Sequence, residues 1–412
     1  MRAPLRVYYT VVAVFALGQG LTLGYSVVYM HDARHYAIPL AGTIVAVTGA
    51  VGLVTAPIGG TLTDRFGPAK MLTFGLGVQF FGVLVFAHTA SPLMSAIGLG
   101  LIGLGASIAW PAQYSLLTAL TRAEGRTRAY ALQFTILNAG IGVGGIVGGL
   151  LIKLDQPSSF VFVYDLYAGM IVVATLLIGV TFREPWIPPP HVDHPIPPSY
   201  RRVFANRAFR NYMAFSMFLV VFSYGQFDAG WAAYATIYAH ASPHVVGLSY
   251  AANTGVIVIA QLVAVRYVDR LPRSRALTFV ALGWSASWLI AALALLPGLP
   301  QFAVDVTLCG ALGLFGLTET LYSPVGNALV NDLADDATRG RYNALSSSTW
   351  SFANLVGGPT AGLLLGLGTA LPWLGAVILG TGLSSLLAHR LRRVLPTQVE
   401  AAKSSRAGAE GD

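Results

Sequence analysis

Charge is what this sequence has least of. Only 10% of its residues are Asp, Glu, Lys or Arg, against about 25% in soluble domains, and this excludes an ordinary water-soluble globule. A single cysteine, Cys309, excludes an internal disulfide. No Gly-Lys dipeptide occurs, so there is no phosphate-cradling P-loop and no sign of ATP as a driving force. The eight histidines are scattered without ligand spacing, and His191 and His194 read as solvated side chains of a polar stretch. No serine-nucleophile motif is present either. Metal, cofactor and intramembrane-enzyme readings are therefore set aside.

What fills the sequence is apolar: 55% of the 412 residues are hydrophobic. The apolar runs repeat at close to the ~20 residues that cross a ~30 Å hydrocarbon core as a helix. They predict an all-α membrane protein with spans at 7–30, 38–62, 70–90, 92–119, 129–153, 160–182, 209–238, 244–268, 275–297, 301–331, 341–368 and 370–390. Twelve spans put both termini on one side. If that side is cytoplasmic, all but two of the 25 Lys and Arg residues fall there, the exceptions being Arg34 and Lys153. The positive-inside bias thus predicts a multi-pass protein of the cell membrane with cytoplasmic termini. It also accounts for the net charge of +8 as topogenic, without nucleic acid as a partner. "MRAPLRVYY" runs into an apolar stretch with no small-residue cleavage site, so it is read as the first helix rather than a removed signal.

Hydropathy falls once in the middle. "REPWIPPPHVDHPIPPSYRRVFANR" is proline-rich and predicts an extended, semi-rigid linker. Its basic end, "YRRVFANRAFR", is expected to lie along the inner membrane surface. The predicted organisation is an N-terminal six-helix half (1–182), a cytoplasmic linker (183–208), a C-terminal half (209–390) and a disordered cytoplasmic tail (391–412). The halves also resemble each other. "TLTDRFGPAKMLTF" aligns with "RYVDRLPRSRALTF" at an offset of 205, pairing Asp64 with Asp269 and Arg65 with Arg270. At an offset of 213, "RAYAL" meets "RYNAL", and Gly144 and Gly145 meet Gly357 and Gly358.

"GGTLTDRFGPAKML" (59–72) resembles the loop signature of the major facilitator superfamily. Gly60, Leu62, Asp64, Arg65, Gly67 and Leu72 match it, while Pro68 and Ala69 replace its basic pair. The resemblance implies two parallel six-helix repeats with a substrate site near midplane between them. It also implies an inner gate made by Gly60, Asp64, Arg65 and Gly67 with Asp269 and Arg270: glycine permits close helix approach, and charges pair across the halves and part on opening. A plain turn carrying topogenic charges would use the same residue types. In the fifth span, "NAGIGVGGIVGGLL" places Gly140, Gly144 and Gly148 along one helix face, with Gly149 beside them, for close packing. The pattern is similar to the glycine motif of drug:proton antiporters, although Gly145 stands where that family has proline; in the second half the proline is Pro359, after Gly357 and Gly358.

Two acids lie far from any loop. Asp228 in "YGQFDAGW" is 18 positions past Arg210, about 27 Å along a helix at ~1.5 Å per residue. Glu319 in "LFGLTETLYSP" sits between Asp305 and Asp332, near the middle of its span. An ionised carboxylate there costs several kcal/mol unless it is paired or hydrated. No Lys or Arg lies deep in any span to pair with it. A proton or a cationic substrate would serve, and a hydrogen bond to a neighbouring helix is the structural alternative. Around these acids, Tyr224, Phe227, Trp231 and Tyr234, with Trp110, Tyr114 and Trp350, are candidates for a cavity wall suited to flat lipophilic cations. Gln133 and Asn138 are added as polar lining.

"QFDAGW" and "TETLYSP" look like the corresponding regions of lincomycin-resistance-type multidrug exporters, a proton-coupled branch of that superfamily. The resemblance implies that Asp228 and Glu319 couple protons to substrate. One departure is Gln133, which stands where the branch has an acid, and another is the lack of an arginine in the fourth span. The expectation is a monomeric exporter that exchanges protons for lipophilic cations across the bilayer. Two alternatives stay open: a proton-coupled carrier of one metabolite, for which Gln19, Gln113, Gln226, Asn253 and Gln261 supply some polar lining, and a non-transporting sensor or scaffold.

Overall fold

Proline and glycine punctuate the chain. A computed structural model describes residues 3–121, 126–182, 200–267, 271–334 and 339–400; these are helical nearly throughout and contain no strand. The first half comprises α1 (Ala3–Thr22), α2 (Ile38–Phe66), α3 (Pro68–His88), α4 (Pro92–Leu120), α5 (Arg126–Leu151) and α6 (Pro157–Thr181). The second comprises α7 (Arg207–Phe222), α8 (Pro243–Tyr267), α9 (Arg273–Leu293), α10 (Gln301–Leu333), α11 (Arg339–Leu365) and α12 (Leu371–Leu391). Ten of the described helices are long and apolar enough to cross a membrane. Of the remaining two, α7 is short because its helix breaks, and α11 is made polar by Ser346, Ser347, Ser348 and Thr349. Pro68, Pro92, Pro157 and Pro243 open helices at a position whose N–H has no intrahelical partner.

The charged segment between the second and third spans is tighter than expected. Only Gly67 separates α2 from α3, and its φ of 93° is open to glycine but strained for other residues. Asp64 and Arg65 consequently belong to the last turn of α2 rather than to a loop.

Two helices break, and they break alike. After Thr22, α1 passes Gly24 in a left-handed conformation, resumes as Tyr25–Val28 and ends in a π-turn, Tyr29–Ala33. The seventh span was expected as one helix over 209–238. Instead α7 stops at Ser223, resumes as Tyr224–Ala229 and Trp231–Ala233, and ends in a π-turn, Tyr234–Tyr238. Corresponding details keep the offset of 205 or fall within one residue of it. Tyr36 N–H donates to the Met30 carbonyl and Ala241 N–H to that of Ala235, each at 2.9 Å. The Tyr29 hydroxyl donates to the Ala87 carbonyl and the Tyr234 hydroxyl to that of Ala291, each at 2.6 Å. His35 and His240 take positive φ values of 57° and 53°.

Within the halves, α1 packs on α5 and α6, α3 on α4 and α6, α8 on α10, and α9 on α10 and α12; α2 with α11 and α5 with α8 join the halves. Small residues set these approaches. A Cβ on Gly144 or Gly148 would overlap the carbonyls of Leu17 or Leu21 on α1, and one on Gly140 would meet Ala16. Gly149 lies against Pro243 of α8, Gly358 against Gly42 of α2, and Gly357 against Gly225 beyond the α7 break. Pro359 lies inside α11, one residue past the Gly42 contact. Gly49 against Leu355 lies further along α2, while several close glycine approaches between the halves, Gly42 with Gly358 and Gly149 with Pro243 among them, fall where α2 and α8 begin and α5 and α11 end. That end is the far face, opposite the terminal face where α1 begins and α12 ends.

The expected disordered tail needs correction at its start. Residues 391–400 are ordered, and a short helix, Thr397–Glu400, returns to the bundle. The Glu400 carboxylate accepts from the Ser274 backbone N–H at 3.1 Å and from its hydroxyl. It thereby satisfies an otherwise open donor in the first turn of α9 and complements the dipole. Residues 401–412, and the proline-rich 183–199, lie outside the described residues.

Candidate functional site

The break in α7 gives the site its shape. Ser223 leaves helical geometry (φ −117°, ψ −83°), which frees carbonyl groups in the middle of the bundle. Gln226 answers one of them, its amide donating to the Val221 carbonyl at 3.2 Å; the same amide donates to the Gly357 carbonyl of α11 at 3.4 Å, and its oxygen accepts from the Trp373 indole at 2.8 Å. Gly225 next to it lets α11 close in through Gly357. Asp228 follows one turn on and is thereby aimed by a clamped segment.

Both predicted acids reach one region. Asp228 is exposed, between the buried Phe227 and Ala229. Glu319, half-buried on α10, faces the Tyr224 hydroxyl and the Asn253 amide. Tyr224 lies within electrostatic reach of both carboxylates. Tyr250 reaches Asp228 from α8 while its hydroxyl donates to the Phe227 carbonyl at 3.1 Å. No ion pair to Lys, Arg or His holds either acid among the described residues. Hydroxyl and amide groups are the neighbours that the described residues give these carboxylates.

The aromatic wall is smaller than the sequence suggested. Tyr224 packs 4.4 Å from the Trp350 ring, and Trp350 is 42% exposed. From the first half, Trp110 stacks on Tyr114, itself 44% exposed, and Tyr130 flanks Tyr114. Phe227 is nearly buried between Tyr250 and Phe315. Trp231 and Tyr234 leave the wall altogether. Both are fully buried, the Trp231 indole on the Ser249 hydroxyl and the Tyr234 hydroxyl on the Ala291 carbonyl, and their rings meet Trp288 and Trp373. At ~100° per residue, Trp231 and Tyr234 stand roughly 60° and 120° around the helix from Asp228, on the side that packs into the second half. Gln133 is not lining either: it is buried, and its oxygen accepts from the Tyr8 hydroxyl at 2.8 Å. Asn138 is half-exposed, with its amide on the Phe134 carbonyl at 2.9 Å.

At the expected inner gate, a Cβ on Gly60 would meet open space, whereas one on Gly59 would press on the Ser107 carbonyl of α4. The close approach assigned to Gly60 belongs to its neighbour. Arg65 lies over the Phe66 ring, 5.4 Å from its centroid. The Asp64 side chain, and the whole of Asp269 and Arg270, lie outside the described residues. Sequence reasoning missed the roles of Tyr250, Gln226 and Trp373. For Gln226 there was a signal, a glycine and an amide side by side in an apolar run just before an acid.

The sequence model of the Major Facilitator Superfamily matches residues 8–239 and, again, 213–410. The chain belongs to this superfamily. Its structure superposes on that of a D-xylose-proton symporter with a TM-score of 0.75, covering 96% of this chain and 98% of the symporter at 15% identity; the likeness is one of fold. Among sequence relatives, the multidrug resistance protein MdtH of Aeromonas salmonicida is 26% identical over 80% of each chain. The quinolone resistance protein NorA of Staphylococcus aureus is 25% identical over 42% of this chain and 44% of its own. As a superfamily member the chain is a multi-pass membrane transporter and not an enzyme.

Proposed function

We propose that this major facilitator chain exports lipophilic cations in exchange for protons, by alternating access, as a monomer of the cell membrane with its terminal face in the cytoplasm. One observation carries the reading: Asp228 and Glu319, both within electrostatic reach of Tyr224, have no ion pair to a basic residue among the described residues. An embedded acid of this kind is stable when protonated or when a cation neutralises it, so the two ligands compete for one charge. Occupancy by either relieves the cost that otherwise opposes reorientation. Tyr224, Trp350, Trp110 and Tyr114 supply flat surfaces for an aromatic or lipophilic cation. The names of MdtH and NorA support resistance to drugs as the setting, and the Lys/Arg asymmetry supports the orientation. Residues 183–208 then form the cytoplasmic linker between the halves, and Asp64, Arg65, Asp269 and Arg270 the gate that breaks when the terminal face opens.

The test is proton-gradient-driven uptake of ethidium into inside-out vesicles, wild type beside Glu319→Gln and Asp228→Asn at equal expression. Gradient-dependent uptake by the wild type, collapsed by an uncoupler and lost in Glu319→Gln, is the expected result. Absence of dye uptake by a folded wild type, with uptake of one metabolite from a panel instead, would replace the polyspecific reading with a dedicated carrier.

A further inference from the structure

On the far face, where the halves meet, lies a pocket of about 580 Å³ away from the central acids. Its walls are His31, Asp32 and His35 at the end of the α1 span, Leu154 after α5, and Thr236 and Ile237 in the π-turn that ends the α7 span. The two π-turns thus face each other across the seam, and the pocket is complete only while the halves touch there.

Three polar groups of this pocket, on Asp32, His31 and Thr236, share one property. Asp32 is half-buried, and its carboxylate makes no hydrogen bond or ion pair among the described residues; its electrostatic neighbours are His31 and His35. His31 Nδ1 lies 2.9 Å from the Tyr36 carbonyl oxygen. That oxygen only accepts, so the proton of a neutral ring is on Nδ1 and Nε2 is left as an acceptor. The Thr236 hydroxyl donates to the Ala232 carbonyl at 2.8 Å, which leaves its oxygen lone pairs. Arg34, the nearby guanidinium, is spent elsewhere, on the Tyr29 hydroxyl and the Ala87 carbonyl. A carboxylate, an imidazole nitrogen and a hydroxyl oxygen therefore offer acceptors, and the missing complement is a positive charge that carries N–H donors.

We propose that this seam pocket binds a primary ammonium or guanidinium group that arrives from the far face. The site differs from the central one in what it selects. Aromatic surfaces there attract a cation through its charge and area, whereas the acceptors here discriminate by hydrogen bonding. A tetraalkylammonium ion, with equal charge and no N–H, is a poor ligand for it. The inference does not depend on which substrate passes through the centre.

Equilibrium binding of radiolabelled methylguanidinium to the full-length protein in lipid nanodiscs tests this, with Asp228→Asn and Glu319→Gln introduced to silence the central acids. Saturable single-site binding is expected, displaced by methylammonium and not by tetramethylammonium. In that background Asp32→Asn is expected to weaken it by about tenfold or more, the loss of one charge-assisted hydrogen bond, and Thr236→Val to weaken it less. Absence of saturable binding, undiminished binding in a folded Asp32→Asn protein, or equal displacement by tetramethylammonium overturns the assignment. Thermal unfolding of each variant separates loss of the site from loss of the fold.

Discussion

Gln226 and Tyr224 do different work within one turn of each other. Gln226 partners the Val221 carbonyl beside the α7 break and the Trp373 indole, which would otherwise be buried without partners, and also reaches the Gly357 carbonyl of α11. Its replacement by Ala is expected to lower stability by about 1–3 kcal/mol, the cost of such orphaned groups, read as a drop in the unfolding midpoint in detergent or nanodiscs. Tyr224 holds its ring in a cluster of Trp284, Phe315 and Trp350 and offers only its hydroxyl to Glu319. Tyr224→Phe is therefore expected to keep the midpoint within about 1 kcal/mol while reducing gradient-driven dye uptake; unchanged uptake would detach Tyr224 from the acids. At this scale the acids were legible in the sequence, because a carboxylate in an apolar run announces its own cost. Trp231 and Tyr234 were not, since closeness in sequence to Asp228 does not say which side of the helix meets Trp288 and Trp373.

Among elements, α5 shows what its glycines are for. Gly140, Gly144 and Gly148 form a stripe on α1, and Gly149 faces α8 across the seam, so substitutions on adjacent positions test different contacts. Gly148→Leu is expected to destabilise the first half by about 1–3 kcal/mol through overpacking on the Leu21 carbonyl. Gly149→Leu is expected instead to pry the halves apart at the far face, seen as increased thiol labelling of a cysteine placed at Leu40 in a Cys309→Ser background. Gly60→Ala, next to open space, is expected to stay within about 0.5 kcal/mol of wild type, and a large loss there would contradict the placement of Gly59 as the α4 contact. The stripe was readable from i, i+4 spacing alone. Which of Gly59 and Gly60 makes the contact was not, because the repeat fixes the segment and not its rotation.

For the whole molecule, twelve helices in two related halves followed from hydropathy, charge asymmetry and the offset of 205. The side on which the halves touch did not, since that depends on how complete bundles lean against each other. The docked tail was also hidden, because Thr397–Glu400 is polar and short and its stability comes from Ser274, over a hundred residues away. Truncation after residue 396 is expected to lower the unfolding free energy by about 1–2 kcal/mol, the usual worth of a helix cap, whereas truncation after 400 is expected to be neutral. Equal midpoints for the two would show that the contact contributes nothing.

The paired π-turns separate shape from sequence. Each needs a local widening of the helix followed by a left-handed histidine, and both sit at the same place in their repeats, one on "YMHDARH" and one on "YATIYAH". Those two strings share only a tyrosine and a histidine, so one backbone path is reached with largely different side chains. The bend belongs to the repeat as a shape, and either half could exchange the side chains along it and keep the turn.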